Sequence, residues 1–269
     1  MTVQESDLNW RHRTPKTRLL LWLGWFLLVA LFVWCWDLMT QNTLWVFVSD
    51  APRAGADLLD RAFPPRWEYM DRLWKPLWDT INMATLGTLL GIIMAVPLAF
   101  LAATNTTPSR LILRPFALLC IVATRSINSL IWALLLVSIL GPGLLAGILA
   151  IAFRSIGFIG KLLYEAIEET DVAQIEAITA TGASRSQILN YGIVPQVLPA
   201  FFGISVFRWD INIRESAILG LVGAGGIGVQ LQASMNVLAW PQVTLIILVV
   251  LATVVFSEWV SASVRKAVI

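Results

Sequence analysis

The length of unbroken apolar sequence decides what this chain can be. Five stretches, 19–36, 76–104, 115–140, 193–221 and 241–261, are apolar over roughly the length that crosses a bilayer as a helix. A sixth starts at the tight turn Gly141-Pro142-Gly143 and continues to about residue 160. Backbone N–H and C=O groups find no water in hydrocarbon, so each stretch must satisfy them internally. The fold expected is all-α and polytopic, with about six transmembrane helices, or five if 193–221 is re-entrant. Composition agrees: 58% of the 269 residues are hydrophobic and 13% are charged, against about 25% charged in soluble domains. The chain divides into a tail over 1–18, a first transmembrane helix over 19–36, a loop over 37–75 and a transmembrane domain over 76–269. The loop is too polar to cross, but its tryptophans and residues 42–48 suit the membrane interface.

Lys and Arg in short loops set orientation. Arg11, Arg13, Lys16, Arg18, Arg110, Arg114, Lys161, Arg185, Arg265 and Lys266 fall on one side of the predicted spans. The loop 37–75 holds Arg53, Arg61, Arg66, Arg72 and Lys75, offset by acidic residues. Both termini are therefore expected in the cytoplasm and the loop 37–75 outside. The polar N-terminus lacks a small-residue cleavage pattern, so no removable signal peptide is expected. A net charge of +2 argues against a nucleic-acid partner. The single histidine, His12, lies in the tail, which excludes histidine chemistry inside the bilayer. Cys35 and Cys120 lie in apolar runs without metal-ligand spacing and are expected to be buried free thiols. The sequon Asn105-Thr106-Thr107 falls on the predicted cytoplasmic side and is read as chance.

The longest polar interruption in the second half of the chain is 171–195, DVAQIEAITATGASRSQILNYGIVP. Asp171 with Gln174, and Ser184 with Gln187, have capping-box spacing, so each can start a helix. Gly182 stands between them, where a left-handed residue ends the first helix. A helix-turn-helix on a cytoplasmic loop of a membrane protein is a surface for a partner, or else an ordinary amphipathic loop.

Away from the ends of the predicted spans the charged residues are Arg125, Arg154, Arg208, Asp210, Arg214 and Glu215. Each costs about 2.5–3.5 kcal/mol at the centre of a bilayer on insertion scales, so it faces a cavity or a partner. Asp210 and Arg214 are four apart on one helix face and can pair with each other. Either these charges tie helices together, with Arg208 and Arg154 the most structural, or their positive surplus lines a path for a small oxyanion. Arg offers planar bidentate recognition of such a group. Gly87-x-x-x-Gly91 permits close helix packing. Gly223-x-Gly225-x-x-Gly228 fits a dinucleotide fingerprint, but no strand pattern precedes it, and Gly223, Gly225, Gly226 and Gly228 are read as a flexible outward turn. No phosphate loop GxxxxGK[ST] occurs. The spans supply no paired-carboxylate or nucleophile–base set, so an embedded enzyme is not expected.

In 171–195, Glu176, Ala177, Gly182 and Pro195 match in register the EAA loop of bacterial ABC importer permeases; Ile178 and Gly192 depart from it. The run Arg208-Trp209-Asp210-x-Asn212-x-Arg214, then Val222-Gly-Ala-Gly-Gly-Ile-Gly228, resembles the phosphonate/phosphite (PhnE-type) branch of these permeases. Thr181-Gly182-Ala183, the stretch 191–199 and Arg125-Ser-Ile-Asn128 fit the same branch. The resemblance covers most of the chain after about Trp78. It implies a type I importer permease that moves phosphonate, phosphite, hypophosphite or phosphate. It also implies a second copy or a paralogous permease, two cytoplasmic ATPase subunits that carry ATP and magnesium, and a periplasmic or lipid-anchored binding protein. This chain itself would bind no cofactor or metal and have no catalytic residue. Glu176, Ala177, Gly182, Ala183 and Pro195 would form the ATPase-coupling unit, and Arg125, Asn128, Asp210, Asn212, Arg214 and Glu215 the translocation path. The alternatives are an importer permease for another small solute and a stand-alone secondary transporter. Gly192, where the pattern has Ile, predicts a loose hinge into the next span.

Overall fold

The computed structural model describes residues 15–41 and 43–268, so Arg11, His12, Arg13 and Asn42 lie outside the described residues. The chain resolves into two compact units, 1–57 and 58–269. The first holds α1 (Pro15–Thr40), apolar from Leu19 to Trp36, and most of α2 (Trp45–Ala62), which carries Asp50, Arg53, Asp57, Asp60 and Arg61. A helix thus occupies much of what the polarity of 37–75 marks as a loop. Helical geometry puts these charges and the residues Val46, Val48 and Leu59 on the same short rod, so charge content alone does not report its conformation.

The second unit is built round α6 (Leu144–Glu168). The helices α3 (Met70–Ala102), α4 (Leu113–Ser126), α5 (Ser129–Leu140) and α9 (Val194–Leu219) all pack on it. Small residues make this possible: Ala146, Gly147, Ala150, Ala152, Ser155, Gly157 and Gly160 of α6 are all buried. The pair Gly87 and Gly91 on α3 meets α6, where a Cβ at Gly87 would lie 2.7 Å from an Ile151 methyl and one at Gly91 2.5 Å from the Ser155 Cβ. After α9 come α10 (Ile227–Asn236) and α11 (Trp240–Val268); α11 packs on α9 and α10. Among the described residues there is no strand.

Among the described residues, five helical segments are long and apolar enough to cross a membrane. The segment for which re-entrance was the alternative, 193–221, is continuous, whereas 115–140 is broken: α4 and α5 meet at 90°. Neither Gly nor Pro marks this break. Its cause is local, because Asn128 caps α5 by accepting the Leu130 N–H at 3.0 Å, and a capping residue leaves the helical conformation. Counting the bent pair as one span gives six.

Three segments are longer than their apolar runs. Helix α3 starts at Met70 rather than at Pro76, and the Pro76 carbonyl accepts the Thr80 hydroxyl at 2.8 Å. Helix α6 continues past Gly160 through the acidic stretch, where Lys161 pairs with Glu165 at 3.3 Å and Glu168 with Arg114 at 3.6 Å. Helix α11 runs on through Arg265 and Lys266. The sequon residue Asn105 is also structural: its Nδ2 donates to the Ile167 carbonyl at 2.6 Å, joining the α3–α4 connection to the end of α6. Cys35 and Cys120 are free thiols, but Cys35 is exposed and Cys120 half-buried. An apolar helix face can be covered by lipid instead of protein, so an apolar run does not ensure burial within the chain.

Candidate functional site

The stretch 171–195 folds as two helical pieces round a glycine. Helix α7 (Val172–Ala180) begins at Asp171, whose carboxylate accepts the Ala173 N–H at 2.9 Å. The partner expected from spacing, Gln174, is not used. The Asp171 N–H instead donates to Gln196 Oε1 at 2.9 Å, and Gln196 Nε2 donates to the Gly192 carbonyl at 2.7 Å. Gln196, absent from the expected set, therefore ties the start of α7 to α9. Gly182 has φ +78°, the left-handed turn that ends α7. The next piece, α8 (Arg185–Gln187), begins at the Ser184–Gln187 capping box, in which the Ser184 N–H donates to Gln187 Oε1 at 2.8 Å.

No hinge follows α8. A π-helical turn, Ile188–Ile193, runs directly into α9. Gly192 is buried in that turn, and a Cβ there would approach Ile178 of α7 to 3.3 Å. The glycine thus lets α7 lie against the turn, where its small size serves packing and not looseness. Glu176, Ala177, Gly182 and Pro195 are exposed and Ala183 is half-exposed, so all five lie on one short surface unit.

The charged residues of α9 form a buried lattice with α6, α3 and α11. Arg208 is 1% exposed; its Nη2 pairs with Glu215 at 3.3 Å, its Nε donates to the Ser155 hydroxyl at 3.1 Å, and it stacks over Phe158 at 5.2 Å. Glu215 also meets Arg154 Nε at 3.4 Å, and Arg154 Nη1 donates to the Ile127 carbonyl at the α4–α5 break at 3.3 Å. Asn212 is fully buried and donates to Thr88 at 2.7 Å and to Ser155 at 3.0 Å. Asp210 is 4% exposed, accepting from Arg214 at 2.6 Å and from the Ser257 hydroxyl at 2.6 Å. Arg214 keeps 48% of its side chain exposed. Arg125 and Asn128 are exposed at the α4–α5 break.

The six expected path residues therefore do not share one open surface. Arg125, Asn128 and Arg214 are exposed, Glu215 is half-buried between two guanidinium groups, and Asp210 and Asn212 are enclosed. Their partners Ser155, Thr88 and Ser257 had no signal in the sequence, since a hydroxyl in an apolar helix usually bonds its own backbone. Arg154 reaches the α4–α5 break, where it bonds the Ile127 carbonyl.

The glycine stretch is a packed corner and not a flexible turn. Gly223, Gly225 and Gly226 all have positive φ, Ala224 is fully buried, and the Gly223 carbonyl accepts the Gly143 N–H at 3.0 Å. The Ile227 N–H donates to Thr80 Oγ1 at 2.7 Å, and Gly228 is buried where a side chain would collide with the Ala217 carbonyl. The corner thus binds α10 to α3 and to the α5–α6 turn.

Comparison with known proteins accords with this geometry. Residues 81–268 match the family described as binding-protein-dependent transport system inner membrane component. The phosphite transport system permease protein PtxC of Stutzerimonas stutzeri is 36% identical over 90% of this chain and 86% of its own length. The phosphate-import permease protein PhnE of Mycolicibacterium smegmatis is 41% identical over 82% of this chain, which spans 42% of that relative's length. Among solved structures, the MetNI methionine ABC transporter in an inward-facing conformation superposes with TM-score 0.66 over 76% of this chain and 99% of the matched one, at 21% identity. A bacterial alginate ABC transporter superposes with TM-score 0.57 over 90% and 96%, at 18% identity. The fold is that of a type I ABC importer permease, and the chain belongs to the binding-protein-dependent transport system inner membrane component family, as a multi-pass transport subunit and not an enzyme.

Proposed function

We propose that this chain is the membrane-spanning permease of an ATP-driven importer whose cargo is a small phosphorus oxyanion: phosphonate, phosphite, hypophosphite or phosphate. The observation that carries it is the exposed unit α7–Gly182–α8 continuing without a break into α9, the helix that bears the Arg208–Glu215 lattice. A partner pulling on the unit would act directly on the charged centre. The cargo class is supported by relatives named for phosphite and phosphate transport. Glu176, Ala177, Gly182, Ala183 and Pro195 present the docking surface for a cytoplasmic ATPase that holds ATP and magnesium. Both termini lie in the cytoplasm, and two copies enclose the path. A binding protein outside supplies tight recognition, because a deep well inside the path would trap its cargo. In the path, Arg125 and Arg214 attract the anion, with Asn128 beside Arg125, while Asp210, Asn212 and Glu215 hold the helices that position them.

The test is uptake of phosphite into proteoliposomes that contain the permease, its ATPase and its binding protein. Uptake is expected to require ATP and all three components. Uptake that persists unchanged without the ATPase would establish a secondary transporter instead.

A further inference from the structure

A second cationic feature lies on the α4–α6 contact, apart from the α9 side chains. Helices α4 and α6 cross at Gly157, where a Cβ would come within 2.5 Å of the Arg125 amide nitrogen, so this glycine brings Arg125 against α6. Beside the contact is a cavity of about 440 Å³, lined by Arg125 and Ser126 of α4 and by Lys161 and Tyr164 of α6, over Leu118 and Val122. Among the described residues, the Arg125 guanidinium and the Tyr164 hydroxyl have no hydrogen-bond or ion-pair partner. Lys161 is shared with Glu165 at 3.3 Å. Two cations and one carboxylate leave a single positive charge in a groove between two apolar helices.

An unpaired guanidinium at such a place is expensive unless an anion or water answers it. The geometry points to a tetrahedral phosphorus oxyanion as the ligand of this groove, with Arg125 and Lys161 as its cationic contacts and Tyr164 as a hydroxyl donor. The inference rests on the cargo class proposed above. Arg presents a planar fork to two oxygens and Lys a point charge to a third. The volume lies within the range of small-molecule sites. Glu165 competes for Lys161 and keeps the site weak, as a station on a path requires. The same chemistry is offered by a free oxyanion and by a phospholipid headgroup.

The experiment uses the full chain in dodecyl maltoside with no phosphate buffer. In one arm inorganic phosphate is titrated and its phosphorus-31 linewidth followed; in the other, native mass spectrometry counts retained phosphatidylglycerol. Saturable phosphate broadening is expected, weakened at least about tenfold in Arg125→Gln and in Lys161→Gln and partly restored in Arg125→Lys. Lys75→Gln, on α3 outside the groove, should leave it unchanged. Loss of a retained phosphatidylglycerol in the same two variants, without phosphate broadening, assigns the site to a lipid headgroup. The inference is overturned if the wild-type chain binds neither probe, or if the Arg125→Gln/Lys161→Gln double variant binds both as the wild type does. Phosphate binding here with no phosphite uptake by the wild-type assembly would remove the cargo reading and leave the site. Normal uptake with binding indifferent to the variants would remove only the site.

Discussion

Arg208 and Arg214 stand six residues apart on α9 and differ in what their loss leaves behind. Removing Arg208 deprives Glu215 of one of its two guanidinium partners and Ser155 of one of its two donors, all in the protein interior. Breaking a buried ion pair costs on the order of 3 kcal/mol. Arg208→Leu is therefore expected to lower the thermal unfolding temperature of the detergent-solubilised chain by several degrees, with aggregation on size-exclusion chromatography. Arg214 is half exposed and its partner Asp210 retains Ser257. Arg214→Ala should leave the unfolding temperature close to wild type while slowing ATP-dependent uptake. If Arg214→Ala instead prevents insertion, its pair with Asp210 is structural and the path loses one of its two cations. The charge spacing in the sequence made the Asp210–Arg214 pair readable, because both residues lie on one helix. It could not reveal that Glu215 is shared with Arg154, since that contact depends on where α6 lies.

At the scale of the element, the helix-turn-helix over 171–195 was legible because caps and a left-handed glycine are local chemistry. Asp171, Gly182 and Ser184 act within a few residues of themselves, and the structure places all three at helix ends. Proline cannot adopt the Gly182 φ of +78°, so Gly182→Pro must rebuild the turn between α7 and α8. Gly182→Pro, and separately the charge reversal Glu176→Lys, are expected to abolish co-purification with the ATPase or stimulated ATP hydrolysis. Membrane insertion should be unaffected, because both residues are exposed. Normal ligand-stimulated hydrolysis in both variants would count against the docking role. The break between α4 and α5 was not legible, since 115–140 reads as one apolar run and carries no helix breaker. The available signal was Asn128, a good capping residue inside an apolar stretch, whose carbonyl oxygen is satisfied only where a helix begins. Gly192 was legible as a departure but not in its meaning, which depends on Ile178 packing from another helix.

For the whole molecule, the number of crossings decides where 171–195 lies. With the N-terminus in the cytoplasm as proposed, a bent pair α4–α5 that crosses once gives six spans and puts 171–195 in the cytoplasm with both termini. If the pair enters and leaves on one side, the unit is outside. In a background of Cys35→Ser and Cys120→Ser, Ser186→Cys and Ser263→Cys should react with a membrane-impermeant maleimide only after the cells are opened. Ala56→Cys should react in intact cells. Labelling of Ser186→Cys in intact cells would place the unit outside and end its role in ATPase docking. The continuity of helix from Arg185 to Val222 has a mechanical side as well. From Ser186 to Glu215 such a rod spans roughly 45 Å at the helical rise per residue, so tilting it by about 5° displaces one end against the other by roughly 4 Å. Hydrogen bonds tolerate a few tenths of an ångström. A lever of that length cannot move while Arg154 and Ser155 of α6 hold Glu215 and Arg208 of α9 unchanged. The lattice therefore acts as a detent, engaged or released and never partly slid, which gives the rod discrete positions in place of a continuous swing.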